Sequence, residues 1–261
     1  MAIFETQNLA VGYTHGKQTT TLLSGLNLSL DSGQLVALLG QNGAGKSTLI
    51  RALTFATKPI EGKILLHGVD FDTITKSERA RLLGLVSTER IQAGALTVSE
   101  LVGLGRQPYT GFLGRLSDDD RAIIADAISS VGMSHKAESF VANLSDGERQ
   151  KVMIARALAQ HTPIIVLDEP TAFLDAASRI ETMQLLAVLA HEQGKAILLS
   201  THDISRSLML TDQLWVITRD RQVLTGATPE MVRSQAMNQV FANPSITFNP
   251  THCDYESTPP E

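Results

Sequence analysis

Gly40-Gln41-Asn42-Gly43-Ala44-Gly45-Lys46-Ser47 stands between an apolar run, Leu35-Val36-Ala37-Leu38-Leu39, and a segment that places Leu49, Ile50 and Leu53 on one helical face. The order is strand, glycine loop, helix, and the loop has the form G-x-x-x-x-G-K-[ST]. Each residue type in it has a reason. Glycines let consecutive backbone N–H groups turn inward around phosphate oxygens, where a Cβ would obstruct the turn. Lys46 supplies a point charge for the β- and γ-phosphates. The Ser47 hydroxyl can ligate Mg²⁺, and the helix that starts here, with Thr48 in its first turn, adds its positive dipole end. The reading is a nucleoside triphosphate site.

Outward from that loop, Ile164-Ile165-Val166-Leu167, Ile197-Leu198-Leu199 and Leu214-Trp215-Val216-Ile217 are further near-continuous apolar runs. Runs of this kind suit strands covered on both faces, hence a parallel sheet flanked by helices and an α/β fold. Helix ends are readable between them. Ser117 can cap a helix with Ile124, Ala127, Ile128 and Val131 on its apolar face and Gly132 at its close. Thr228-Pro229-Glu230 opens another. The stretch between Lys46 and Asp168 is long for one crossover, and its middle, from Leu96 to Gln160, reads as mainly helical, so it is expected to be an inserted helical subdomain. Asn243 to Glu261 mixes Pro, Ser, Thr and Asn with little periodicity, which predicts a loosely packed tail.

Composition limits the function classes. The 22 Lys+Arg against 27 Asp+Glu give a net charge of −5, which argues against a nucleic-acid partner because non-specific polyanion binding needs a basic face. The single cysteine, Cys253, excludes an internal disulfide framework and any multi-cysteine metal site. No apolar run approaches the ~18 residues that cross a bilayer. The start, Met1-Ala2-Ile3-Phe4-Glu5, lacks the basic-then-apolar form of a secretory signal, so a cytoplasmic location is expected.

The run Ile164–Leu167 ends in Asp168-Glu169. At the C-terminal end of a parallel strand, the first acid can hold Mg²⁺ and the second can polarise a water facing the γ-phosphate. Between this pair and the glycine loop lies Leu144-Ser145-Asp146-Gly147-Glu148-Arg149-Gln150, in which Ser145 and Glu148 form an S-x-x-E capping box. At this point the chain, over nearly all of residues 3–240, resembles the ATP-binding cassette (ABC) ATPase family, whose signature LSGGQ has Leu144-Ser145-Asp146-Gly147-Glu148 in its place.

That resemblance implies a P-loop NTPase fold: an ABC ATPase α/β core with a parallel sheet plus an inserted helical subdomain. It implies a single domain over 1–242, with the core at about 1–95 and 160–242 and the helical subdomain at about 96–159. It further implies ATP and Mg²⁺ as cofactors, Tyr13 as the aromatic that stacks on adenine, and Leu174-Asp175 as the loop after the acidic strand. Glu169 is then the base, and His202, in Ser200-Thr201-His202-Asp203, is the switch residue that reaches the γ-phosphate with Lys46. Two cassettes pair head to tail in the family, so Ser145 and Gly147 would serve the nucleotide of the opposite chain in a homodimer. A glutamine that senses Mg²⁺ in the family is replaced here by Glu89, which with Asp146 and Glu148 puts three extra acids near a polyphosphate.

Leu96-Thr97-Val98-Ser99-Glu100-Leu101-Val102, followed by Gly105-Arg106-Gln107-Pro108-Tyr109 and Gly114-Arg115-Leu116, looks like the importer subgroup serving ferric siderophores, haem and cobalamin. Thr97 and Glu100 form a further capping box. The partners so implied are integral-membrane permease subunits and, through them, an extracytoplasmic solute-binding protein. The location so implied is the cytoplasmic face of the bacterial inner membrane, peripherally attached. A soluble ABC ATPase of a cytoplasmic assembly process, such as iron–sulfur cluster biogenesis, is the rival reading, and the Gly105–Leu116 segment argues against it.

Overall fold

The computed structural model describes residues 2–16, 18–87, 95–111, 114–234, 236–240 and 246–257. The chain divides into two compact units, one made of Met1–Thr73 with Leu186–Glu261 and the other of Ile74–Leu185.

The first unit begins with the antiparallel strands β1 (Ala2–His15), β2 (Gln18–Leu26) and β3 (Ser29–Asp31). Next come β4 (Leu35–Leu39), the glycine loop and α1 (Lys46–Leu53), then β5 (Glu61–Leu66) and β6 (Val69–Asp70). Strands β2, β1, β5 and β6 are hydrogen-bonded in that order, with β3 also on β1. Every residue of β4 is buried, as its unbroken apolar sequence requires.

The second unit holds α2 (Lys76–Leu82), β7 (Leu83–Val86), α3 (Val98–Gly103), α4 (Asp118–Ser130), α5 (Asp146–Ala159) and β8 (Ile164–Asp168). Strands β7 and β8 are parallel, with Leu83 opposite Ile164 and Val86 opposite Leu167. The helices α2, α3, α4 and α5 each begin with a reciprocal capping box, at Thr75/Glu78, Thr97/Glu100, Ser117/Asp120 and Ser145/Glu148. In each box the cap side chain takes the N–H of the residue three along, whose carboxylate takes the N–H of the cap. Thus the boxes read in the sequence at Thr97 and Ser145 do form, and two more form beside them. Helix α4 ends as expected at Gly132, in a left-handed conformation at φ +72°. Gly132 N–H donates to Ser129 O and Met133 N–H to Ile128 O, the two bonds of a Schellman stop.

This unit also explains part of the Gly105–Tyr109 segment. The Arg106 guanidinium is buried, pairs with Asp120 at 2.8 Å and donates to Ala159 O on α5. Its flat face lies 4.0 Å from the Tyr109 ring centroid, and Arg81 covers the same ring at 5.1 Å. The Ser117 backbone N–H and the Arg106 guanidinium hold the Asp120 carboxyl down at about 2.

The boundary back to the first unit falls inside α6 (Ala176–His191). There follow β9 (Ala196–Ser200), α7 (Ile204–Leu210), β10 (Gln213–Ile217), β11 (Val223–Ala227) and α8 (Thr228–Arg233). Strand β4 is parallel to β9 on one side and to β10 on the other, and β11 closes against β10 antiparallel. Compact division therefore places β7 and β8 with the helical segment, a wider unit than the 96–159 read from the sequence.

One expectation needs correcting. The stretch expected to be a loose tail contains an antiparallel hairpin, β12 (Ile246–Asn249) with β13 (Asp254–Ser257). Phe248 is buried in a cluster with Ile204, Leu208, Met231, Met237 and Val240, and Tyr255 packs against that cluster with its ring edge-on to Phe248 at 5.3 Å. The Tyr255 hydroxyl donates to Met237 O, and Asn238 Oδ1 accepts the Phe248 N–H at 2.8 Å. Two aromatics that fill a core outweigh a turn-rich composition.

Two outcomes are expected. Phe248→Ala removes a buried aromatic from the first unit's core and should lower unfolding stability by about 3 kcal/mol, read by chemical denaturation. Asp120 has a depressed folded-state pKa, so its contribution is complete above the unfolded value of ~3.9 and lost as pH falls toward about 2. Asp120→Asn should therefore weaken the protein at neutral pH, with the difference from wild type shrinking across that acid window.

Candidate functional site

The glycine loop adopts the conformation its composition demands. Gly43 sits at φ +79° and Gly45 at φ +110°, left-handed backbone that a side chain would strain. Gly45 is also the N-cap of α1, whose first turn carries no acidic residue and whose cap makes no side-chain hydrogen bond. Lys46 is buried at 5% exposure, and its Nζ donates to Gly40 O at 2.9 Å and to Gln41 O at 3.4 Å. Ser47 and Thr48 continue into α1.

His202 follows β9 and lies within the same unit. A cavity of about 360 Å³ is lined by Gly40, Gln41, Asn42, Thr201, His202 and Ile204, so the start of the phosphate loop and the expected switch histidine share one space. The backbone around His202 is pinned on both sides. Thr201 Oγ1 accepts the Asp203 N–H at 3.0 Å, and Asp203 Oδ1 caps α7 through the Arg206 N–H. Tyr13 lies on β1 opposite Thr20, with 56% of its surface exposed.

The second unit carries the acidic strand end and the capped start of α5. A small cavity of about 70 Å³ is lined by residues including Asp146, Arg149, Gln150, Asp168 and Glu169. The buried Nε2 of Gln150 has no hydrogen-bond partner among the described residues, a donor that sequence reading overlooked. Glu169 sits at φ +45°, a left-handed conformation for a residue with a side chain. Such backbone costs about 1 kcal/mol and is commonest where function fixes a side chain's direction.

Asp175 precedes α6 and accepts the Ser178 N–H at 2.8 Å, with the Ser178 hydroxyl 3.2 Å from its other oxygen. The Ser178 backbone N–H is the main reason its carboxyl lies below the ordinary aspartate range. Ser178 in turn abuts Gly147, where an added Cβ would meet Ser178 Oγ at 2.6 Å and Ser178 Cβ at 3.0 Å. Gly147 is therefore a close approach between α5 and α6. Lys151 and Glu181 join the same two helices at 2.6 Å.

The acids at the start of α5 are neutralised from within the chain. Asp146 pairs with Arg149 at 2.9 Å, and Glu148 pairs with Lys136 while its other oxygen takes the Ser145 N–H at 3.0 Å. Glu89, the third of the extra acids, lies outside the described residues.

The family description "ABC transporter" matches residues 23–172, more than half of the chain. The chain belongs to the ABC transporter family. This cassette is 34% identical, over 241 residues, to the iron(3+)-hydroxamate import ATP-binding protein FhuC of Bacillus subtilis, covering 92% of this chain and 88% of that one. Among solved structures it resembles a putative metal-chelate type ABC transporter in an inward-facing conformation, with a TM-score of 0.80, 27% identity and coverage of 93% and 90%. It also resembles a dimeric ATP-binding cassette in a post-hydrolysis state bound to ADP and Pi, with a TM-score of 0.73, 28% identity and coverage of 86% and 98%.

The Gly147 contact yields a test of the cassette's geometry. Gly147→Ala should lower stability by about 1–3 kcal/mol through overpacking against Ser178, and Ser178→Gly in the same chain should recover most of the loss in thermal unfolding.

Proposed function

We propose that this cassette hydrolyses ATP as a homodimer to power import of a metal chelate or related solute, a ferric siderophore, haem or cobalamin, through a membrane permease. The observation that carries the reading is the phosphate loop itself. Left-handed glycines at 43 and 45, and a buried lysine at the start of α1 whose ammonium is held by hydrogen bonds to loop carbonyls, fit a polyphosphate.

In this reading Gly40, Gln41, Asn42, Gly43, Ala44, Gly45, Lys46, Ser47 and Thr48 hold the phosphates, and Tyr13 stacks on the base. Ser47 and Asp168, with Glu89 as a third oxygen donor, hold Mg²⁺, which suits a hydroxyl and carboxylates as ligands of a hard cation. When bound, that cation neutralises charge on the phosphates. Glu169 accepts a proton from water as the water oxygen bonds to the γ-phosphorus. The bond from that phosphorus to the bridging oxygen breaks, leaving ADP and inorganic phosphate. Lys46 and His202 stabilise the charge that builds on the transferred group. Ser145 and Gly147 serve the nucleotide of the opposite chain, and Asp175, in the loop after the acidic strand, is a further nucleotide-binding residue.

The import reading rests on the relatives of stated function and on the Gly105–Leu116 segment. It places the dimer under two integral-membrane subunits at the cytoplasmic face of the inner membrane, fed by an extracytoplasmic solute-binding protein. Among the described residues no helix is long and apolar enough to cross a membrane.

Glu169→Gln should lower ATP turnover at least ~100-fold while nucleotide binding persists, because it removes the base and keeps the shape. Undiminished turnover would remove Glu169 from its role. Purification of the chain from gently solubilised cells should bring down polytopic membrane subunits in a two-to-two complex. Recovery of soluble partners alone would overturn transport and leave the ATPase standing.

A further inference from the structure

The start of α5 poses an electrostatic problem that the same unit resolves. A helix N-terminus with free N–H groups attracts phosphate, yet here the first turn carries two carboxylates, Asp146 and Glu148. Glu148 is the more constrained of the two. One of its oxygens takes the Ser145 N–H at 3.0 Å and the other is held by the Lys136 ammonium. Ser145 Oγ accepts the Glu148 N–H at 3.3 Å, so the cap serine, the carboxylate and the lysine form one linked set. Both charged side chains are about two-thirds or more covered, at 32% and 27% exposure, which limits the screening of their attraction.

Lys136 owes its place to the end of the preceding helix. The Schellman stop at Gly132 ends α4, and Met133, almost fully buried, anchors the next turn. Lys136 N–H donates to Met133 O and Lys136 O accepts the Ser139 N–H, so the turn that carries the ammonium is bonded on both sides. The Lys136 ammonium is the main reason the Glu148 carboxyl lies below its ordinary range. Arg149 donates to Asp146 Oδ1 at 2.9 Å and also to Leu144 O.

We infer that Lys136 is a positioning residue for nucleotide: by cancelling the Glu148 charge and holding that carboxylate on the Ser145 backbone, it lets an acidic helix start receive a polyphosphate. The inference rests on the reading that Ser145 and Gly147 meet the nucleotide of a second copy. Lys136 does not touch nucleotide itself. Without it, Glu148 would present an uncancelled negative charge to the phosphates. With a neutral residue at position 148, the lysine would have no charge to cancel.

The test uses the full chain and the ATP dependence of its hydrolysis. Lys136→Met should raise the KM for ATP roughly tenfold, the scale of one lost charge-assisted contact, with kcat within about twofold. Lys136→Arg should restore it. In a Glu148→Gln chain, Lys136→Met should move the KM by less than about twofold. An unchanged KM for Lys136→Met in the Glu148 chain would overturn the inference. So would an equal rise in both backgrounds, because that is what a purely structural role gives. Ser145→Ala separates the two layers of the argument: if it too leaves the KM unchanged, the reading of the α5 start fails and the inference falls with it. If Ser145→Ala raises the KM and Lys136→Met does not, the inference alone is overturned.

Discussion

A buried ammonium is tolerated only where oxygens take its protons, and Lys46 meets that condition within its own loop. Gly40 O and Gln41 O hold Nζ at the point where β4 ends, so the lysine ties the strand to the helix it starts. The loop between them has glycines in left-handed backbone, which they adopt without the strain a Cβ would bring. The parallel neighbours β9 and β10 fix β4 from both sides, and His202 comes off the end of one of them into the cavity the loop lines. The lysine–carbonyl bonds thus join strand to helix, and the pairing of β9 with β4 brings His202 to the same cavity.

The second unit solves a different problem, that of placing carboxylates usefully. Two of them, Asp168 and Glu169, end a buried strand, where desolvation would be costly were they one residue earlier. Others, at Glu78, Glu100, Asp120 and Glu148, are used as caps that take backbone N–H groups at helix starts. The Asp120 cap also receives a buried guanidinium, which in turn lies on the Tyr109 ring. Charge is therefore spent on local geometry before any ligand arrives, and Lys136 and Arg149 carry the opposite sign to where it is needed.

Much of this was written locally and could be read locally. Strand β4 is the run Leu35–Leu39 residue for residue, and the boxes at Thr97, Ser117 and Ser145 sit where their side chains lie within three residues of each other. Lys136 is twelve residues from Glu148 and no period connects them; only the stop at Gly132 brings the two together. Ser178 was closer to hand, because Asp175 and Ser178 have capping spacing, but its contact with Gly147 depends on how α5 and α6 pack. The hairpin at the end of the chain escaped for a similar reason. Ile246-Thr247-Phe248 alternates over too few residues to stand out among Asn, Pro, Ser and Thr, and its partners come from α7, α8 and the turn after α8.

The placement of that hairpin bears on how the chain is made. Ile74–Leu185 is continuous in sequence, so all of that unit has been synthesised before β9 exists. The other unit is split into two stretches of chain, and Phe248 and Tyr255, which pack in its core cluster, are synthesised long after β4. Local, contiguous contacts close early and long-range ones close late. The unit with the acidic strand can thus mature during synthesis, while β4 and its phosphate loop wait, with their apolar faces uncovered, for residues more than a hundred positions downstream.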